Sequence, residues 1–179
     1  MNGEFQLRNP EIEDTAHLAE LGRSTFIETF GTLYRQEDLN HFLEEVYSDA
    51  VVAQELSDPR ITHRVIESDG ELVAFIKVGP VHVPAESPSP DAGEIWQVYV
   101  RKSFLGKGLG DRLMEWAMNY FRSINTDEIY VSVFSENPRA IRFYQKYGFE
   151  KIGEYGFPVG DQVDLEWIMR KTFKELQPA

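Results

Sequence analysis

Apolar positions along the chain follow two rhythms, one of period two and one close to 3.6. The clearest alternation lies in residues 94–100, where Ile95, Val98 and Val100 stand with Trp96 and Tyr99 and no breaker intervenes. That composition predicts a strand. Three glycines at alternate positions follow, Gly106, Gly108 and Gly110. Leu109, Leu113, Trp116, Ala117, Tyr120 and Phe121 then recur on one face of an amphipathic helix. In residues 128–135, Ile129, Val131 and Val133 alternate with Tyr130, Ser132 and Phe134, which predicts a strand buried on both sides. Asn137 suits an N-cap, Pro138 the first helical position and Gly148 the C′ position, so a helix of about ten residues comes next. Ala140, Tyr144 and Tyr147 share one of its faces.

The remaining pattern is coarser. Residues 5–8 read as a short first strand. Asn9 and Pro10 cap a helix running to about residue 21, with Ile12, Ala16 and Ala19 inward. Residues 24–56 stay helical through Phe26, Ile27, Phe30, Leu39, Phe42, Leu43 and Val46, punctuated at Gly31 and at Ser48 and Asp49. Residues 62–67 and 71–78 form two strands joined by a hairpin turn at Ser68, Asp69 and Gly70. Residues 81–91 carry three prolines and form a loop. Residues 149–155 and 163–171 are two final antiparallel strands, connected through residues 156–161, and residues 171–179 are a frayed tail. With no internal repeat or composition break, residues 1–179 are expected to be one domain.

Strand, glycine-rich turn and helix start together make an anion cradle. Glycines let backbone N–H groups converge, and the helix N-terminus adds about half a positive charge. The expected ligand group is a pyrophosphate. The spacing fits neither GxxxxGK[ST] nor GxGxxG, since the glycines run G-x-G-x-G without surrounding parallel repeats.

Composition removes other chemistries. The chain has no cysteine, so disulfides, a thiol nucleophile and cysteine metal sites are excluded. His17, His41, His63 and His82 lack ligand spacing, so no metal is expected. A net charge of −12 disfavours nucleic acid and anionic membrane surfaces and suits cationic partners. A polar, acidic start and the lack of a long apolar run predict a cytoplasmic protein.

The segment LGKGLG (residues 105–110) after one strand, and NPRAIRFYQKYGF (137–149) after the next, resemble the signature of the GCN5-related N-acetyltransferases (GNAT). That signature is a (Q/R)-x-x-G-x-G/A loop followed by an N-x-x-A-x-x-x-Y-x-K-x-G-F helix. The resemblance spans roughly residues 5–172, with Leu105 where Gln or Arg is usual. It implies an α/β (α+β) fold, a central mixed and mostly antiparallel twisted sheet of about seven strands flanked by helices. It also implies acetyl-CoA as acyl donor. The pantetheine arm would run along Val98, Tyr99 and Val100. The pyrophosphate would sit at Leu105, Gly106, Lys107, Gly108, Leu109 and Gly110, with help from Asn137. Lys107, Arg112 and Lys146 are the candidate phosphate cations.

The implied reaction is direct attack of a neutral primary amine on the thioester. A lysine-like amine has a pKa near 10.4, so deprotonating it at neutral pH costs roughly 4–5 kcal/mol and requires a proton acceptor. Glu94 is the candidate acceptor. Tyr144 stands where the family places the acid that protonates the leaving thiolate. In this family the segment between the first two strands walls the acceptor pocket. Here that segment carries Glu28, Glu37, Asp38, Glu44, Glu45 and Asp49, an acidic lining for a cationic amine. Residues 24–45 and 155–171 are further similar to bacterial spermidine/spermine N-acetyltransferases, pointing to a polyamine acceptor. Protein N-terminal or lysine acetylation, and a non-catalytic acyl-CoA sensor, stay open at this stage. The resemblance is compatible with a homodimer.

Overall fold

In the computed structural model, which describes residues 3–173, β1 (Gln6–Arg8) leads through a 3₁₀ turn (Ile12–Asp14) into α1 (Thr15–Phe30). Then come α2 (Gln36–Tyr47), α3 (Asp49–Ser57), β2 (Thr62–Ser68), β3 (Glu71–Gly79) and β4 (Gly93–Val100). A second 3₁₀ turn (Lys102–Phe104) precedes α4 (Leu109–Ser123) and β5 (Glu128–Phe134). The chain ends with α5 (Pro138–Lys146), β6 (Glu150–Val159) and β7 (Gln162–Thr172). One seven-stranded sheet has the order β1-β2-β3-β4-β5-β7-β6. Every neighbouring pair is antiparallel except β4 and β5, as the resemblance implied.

Helices cover both faces because the inner strands are apolar on both. On β2 and β3 the pleat sends Ile66 and Ile76 to one side, where Leu113, Met114, Ala117 and Phe121 of α4 cover them. Val65 and Phe75 go to the other side, under Leu18, Leu21, Leu39, Leu43 and Tyr47 of the first helices. The expected hairpin turn is present, and Asp69 and Gly70 both take positive φ (51° and 83°), which a type I′ turn needs. Asn137 caps α5 as expected, its Oδ1 accepting from the Ala140 amide at 3.2 Å.

Three local expectations need correction. The first helix is a single 16-residue element that follows a 3₁₀ turn opened by a capping box between Glu11 and Asp14, and it does not start at Asn9 and Pro10. Of the residues expected inward, Ile12 and Ala16 are exposed while Ala19 is buried. The interior glycine of the helix, Gly22, does not interrupt it. It admits the Tyr47 ring, whose Cδ1 lies 2.4 Å from where a Cβ would stand. The connector expected at residues 156–161 is strand instead, apart from a turn at Gly160 and Asp161. Pro158 is tolerated because β6 lies at the sheet edge, where a missing N–H breaks no second ladder. Of the expected tail, Lys171 and Thr172 belong to β7, and residues 174–179 lie outside the described residues. Among the described residues no helix is long and apolar enough to cross a membrane.

The parallel seam sets the position of the site. β4 and β5 pair only at Gly93/Ile129, Glu94/Tyr130 and Ile95/Val131, although both strands continue. Beyond Ile95, β4 stays with β3 through Val100, and β5 stays with β7 through Phe134. The register of β3 against β4 skips Trp96, a bulge that bends β4 where the strands part. Gly93 brings the start of the seam close to α4, and a Cβ there would stand 2.5 Å from Phe121 Cε1. Gly93→Ala should therefore destabilise the fold by about 1–3 kcal/mol, read as a lower urea midpoint at unchanged m-value.

Candidate active site

Two cavities meet in the gap between the parted strands. One, of about 490 Å³, is lined by Val98, Tyr99 and Val100, by the turn from Leu105 to Gly110, and by Asn137, Ala140 and Phe143. The other, of about 570 Å³, lies against Phe26, Phe30 and Phe42 of the first helices and reaches β5, β6 and β7. Val98, Tyr99, Asn137, Ala140 and Tyr144 line both. A group passing from one cavity to the other therefore passes Tyr144.

The glycine turn has the form of a cradle. Gly106 and Gly108 take positive φ (78° and 75°), and a Cβ at either would meet nothing within 4 Å. The space is open, and the backbone conformation is one that L side chains rarely adopt. Gly108 is the N-cap of α4, so the first amides of that helix face the same opening. Residues and space thus fit a phosphate-bearing group. Leu105, about a third exposed, contributes an apolar wall.

The expected phosphate cations are not the ones at the cavity. Lys146 Nζ is held by Asp111 at 2.6 Å, Lys107 lies over the rings of Phe5 and Phe104, and Arg112 Nη1 donates to the Phe5 carbonyl at 2.8 Å. None of the three lines it. Lys102 and Arg139 do.

In the larger cavity Glu94 is buried at the head of β4. Its Oε2 accepts from the His82 amide (2.6 Å) and the Val83 amide (3.1 Å), and His82 Nδ1 lies 2.9 Å away. Those contacts tie the loop after β3 to the central strand. Lys77 is also buried here, its Nζ 2.9 Å from both oxygens of Glu55, with His63 behind the pair. Burial and the Lys77 charge push His63 down to about 3, so it is neutral at physiological pH. Burial likewise lowers Lys77 below its ordinary value, against the pull of Glu55. Of the acids expected to line this wall, only Glu45 does so. Glu37, Glu44 and Asp49 are solvent-exposed, Asp38 pairs with Arg35, and Glu28 accepts from the Lys102 amide beside the smaller cavity. Among the described residues there is no group of three or more acids or histidines arranged to hold a metal.

Tyr144 keeps its proton at neutral pH, because burial, reinforced by the charge of Glu166, holds its phenol far above the ordinary value. Glu166 itself, on β7, was not singled out by the sequence. It lines the acceptor-side cavity, partly buried, and receives the Ser132 hydroxyl at 2.9 Å. Burial raises it from 4.5 to about 7; Ser132 opposes that shift and Asp164 adds to it. The one signal available was the run Val163–Leu165–Trp167 alternating with Asp164 and Glu166. The apolar set of that run is the obvious inward face, and it is the wrong one. Val163 and Leu165 are exposed, and Asp164 is buried.

A fold with one parallel seam that opens, an amide cradle on one side and a carboxylate-bearing cavity on the other, defines a class of group-transfer enzymes acting on phosphate-tailed donors. The chain matches the Acetyltransferase (GNAT) family over residues 23–149 and belongs to it. GNAT acetyltransferases use acetyl-CoA. The chain is 28% identical, over 89% of its length and 92% of the relative's, to an uncharacterized N-acetyltransferase of the pepI 3′ region of Lactobacillus delbrueckii subsp. lactis. It is 30% identical to the spermidine N(1)-acetyltransferase of Escherichia coli K12, over 83% of this chain and 74% of that one. The PaiA N-acetyltransferase of Thermoplasma acidophilum, solved with coenzyme A, has the same fold, with a TM-score of 0.78 at 22% identity over 95% of this chain and 99% of that one.

Raising a carboxylate's pKa on folding has a stability cost of known sign. Between 4.5 and about 7 the folded state binds the proton more tightly than the unfolded chain, so stability falls as pH rises through that window. Glu166→Gln, which cannot ionise, should therefore be more stable than the wild type above neutral pH by on the order of 1–3 kcal/mol. Urea unfolding at several pH values should show that advantage vanish as the pH falls toward 4.5.

Proposed function

We propose that the protein transfers the acetyl group of acetyl-CoA to a primary amine of a small cationic acceptor, a polyamine such as spermidine or spermine. The observation that carries this reading is the meeting of the two cavities at Tyr144. The donor would lie with its pyrophosphate on the amides of residues 105–110 and its pantetheine along the unpaired edge of Val98–Val100. The thioester would then fall near the shared wall.

The larger cavity suits a polyamine in two respects. Glu45, Glu55, Glu94 and Glu166 line it against a single lysine, Lys77, which Glu55 already neutralises. Its aromatic walls, including Phe26, Phe42, Trp96 and Phe157, suit a methylene chain punctuated by ammonium groups. The likeness to a spermidine acetyltransferase points the same way.

In this reading the neutral amine attacks the thioester carbonyl, the C–N bond forms, and the C–S pair leaves with sulfur. Tyr144, held protonated, supplies the thiolate's proton and recovers one from the acetylated nitrogen. Glu94, held by the His82 and Val83 amides at the head of β4, is the sequence's candidate for the proton acceptor.

Measuring CoA release with spermidine, spermine, a free-N-terminal peptide and a lysine peptide tests the acceptor class. The polyamines should exceed both peptides in kcat/KM by at least about tenfold, which is some 1.4 kcal/mol of discrimination. Turnover confined to a peptide would overturn the polyamine assignment. Tyr144→Phe should lower kcat by about 10²-fold while acetyl-CoA affinity stays within a few-fold. Gly108→Val forces a branched residue into the left-handed region and fills the open space with its side chain, so calorimetry should show acetyl-CoA affinity reduced by more than about tenfold.

A further inference from the structure

We propose that Glu166 of β7 is the proton acceptor for the incoming amine, with Ser132 and Tyr155 holding its carboxylate in place. This rests on the acetyl-transfer reading above and assigns one of its steps.

Geometry distinguishes the two buried-side carboxylates of the acceptor cavity. Two backbone amides, of His82 and Val83, donate to one oxygen of Glu94 and pin the loop there, and His82 Nδ1 lies 2.9 Å from the same oxygen. A proton arriving at that oxygen would displace them. Glu166 has one donor, the Ser132 hydroxyl at 2.9 Å on Oε2. The Tyr155 hydroxyl lies 2.8 Å from the same Ser132 oxygen. Since Ser132 gives its only proton to Glu166, Tyr155 donates to Ser132, and the chain Tyr155–Ser132–Glu166 is directed toward the carboxylate. The three side chains come from β6, β5 and β7, so the sheet itself sets their spacing. In the ladder Glu166 stands opposite Phe134 on one side and Tyr155 on the other, next to the gap where β5 leaves β4.

The surroundings match the task. Tyr34, Tyr99, Tyr144 and Tyr155 line the same cavity as Glu166, and Tyr99 and Tyr144 belong to the wall that both cavities share. Asp164, two residues along β7, is satisfied by the Tyr34 hydroxyl and by Gln162 Nε2 at 2.7 Å, leaving Glu166 as the β7 acid that faces the cavity. The other charged and titratable groups facing this space are Glu45, Glu55, Lys77, His82 and Glu94. Partial burial brings Glu166 into the range where a base is half-ionised near neutral pH.

The step balances simply. The acceptor ammonium gives one N–H proton to the Glu166 carboxylate, leaving a neutral amine and a carboxylic acid. The amine then forms the C–N bond as the C–S bond breaks. The second N–H proton replaces the one Tyr144 gave to sulfur, and Glu166 returns its own to solvent.

The test is the pH dependence of kcat/KM with spermidine for the wild type, E166Q, E166D, S132A and E94Q, with acetyl-CoA affinity measured alongside. Wild-type activity should rise with pH through about 7, the value of the essential base. E166Q should lose about 10²–10⁴-fold in kcat and flatten that limb, while binding acetyl-CoA normally. E166D should recover at least about tenfold over E166Q because a carboxylate is restored. S132A should move the limb upward, since it removes the donor that favours the charged form. An active wild type whose limb survives in E166Q, or disappears in E94Q instead, overturns this assignment and leaves the acetyltransferase reading standing. A wild type that binds acetyl-CoA and turns over no amine overturns both.

Discussion

The structure depends on two neighbouring strands that pair for three residues and then stop. β4 and β5 are each bound firmly on their outer sides, β4 to β3 and β5 to β7. Neither can follow the other without breaking a longer ladder. Parting them exposes strand-edge N–H and C=O groups inside the fold, which is costly unless water or a ligand meets them. The gap is lined from below by α5, whose Asn137 cap and Tyr144 stand where the two cavities meet. Tyr144 is itself braced by Phe143 and Phe149, with ring centroids 5.6 Å and 5.8 Å away. In the proposed reading, an extended donor arm adding to that strand edge would resolve the cost and set the orientation of the reaction in one contact.

Charge is distributed to serve that geometry. A strongly anionic protein binding an anionic donor is no contradiction, because screening limits the general field to roughly 8 Å at physiological salt. What matters locally is the N-terminus of α4 with Lys102 and Arg139 at the smaller cavity. On the acceptor side the Lys77–Glu55 pair is closed upon itself, and a buried pair of this kind adds little net stability or net field. Glu94 is committed to the backbone of the loop after β3. Glu45 is solvent-exposed, so the shielded carboxylate left with the freest oxygens in that space is Glu166.

Much of this was legible in the sequence. The glycine turn, the Asn137 cap, the hairpin at Asp69 and Gly70 and the twice-buried β5 follow from local rules that act within a few residues, and they appear where those rules place them. The misses are non-local. The first helix was expected to end near residue 21, but it runs on through Gly22, whose missing side chain makes room for Tyr47, a residue of another helix. The proline and two glycines of residues 156–160 resembled a connector because nothing in the local sequence says that β6 is an edge strand. The phosphate cations were chosen by proximity in sequence to the glycines, and pairing with Asp111 and the aromatic rings of Phe5 and Phe104 claimed two of the three. Glu166 was missed for a deeper reason: at the start of its strand Asp164 is buried while Val163 and Leu165 are exposed, and the core-facing apolar residues begin only at Trp167.

That inversion completes the physical argument. Burying Asp164 and Glu166 two residues apart on one strand places like charges together, and exposing Val163 and Leu165 forgoes apolar burial on the same strand. Both choices cost stability relative to the ordinary alternation. Buried polar residues occur on β2, β3 and β4 as well, at His63, Lys77 and Glu94, but at Asp164 the buried acid stands between two exposed apolar neighbours. Asp164 is met by Tyr34 and Gln162, and Glu166 by Ser132 with Tyr155 behind it, so the polar groups are supported from four different segments. A strand that gave up its apolar face merely to tolerate a charge would need no such support. A single directed hydrogen bond from Ser132, itself backed by Tyr155, orients the Glu166 carboxylate and leaves its other oxygen available, which is the arrangement the proposed proton transfer would use.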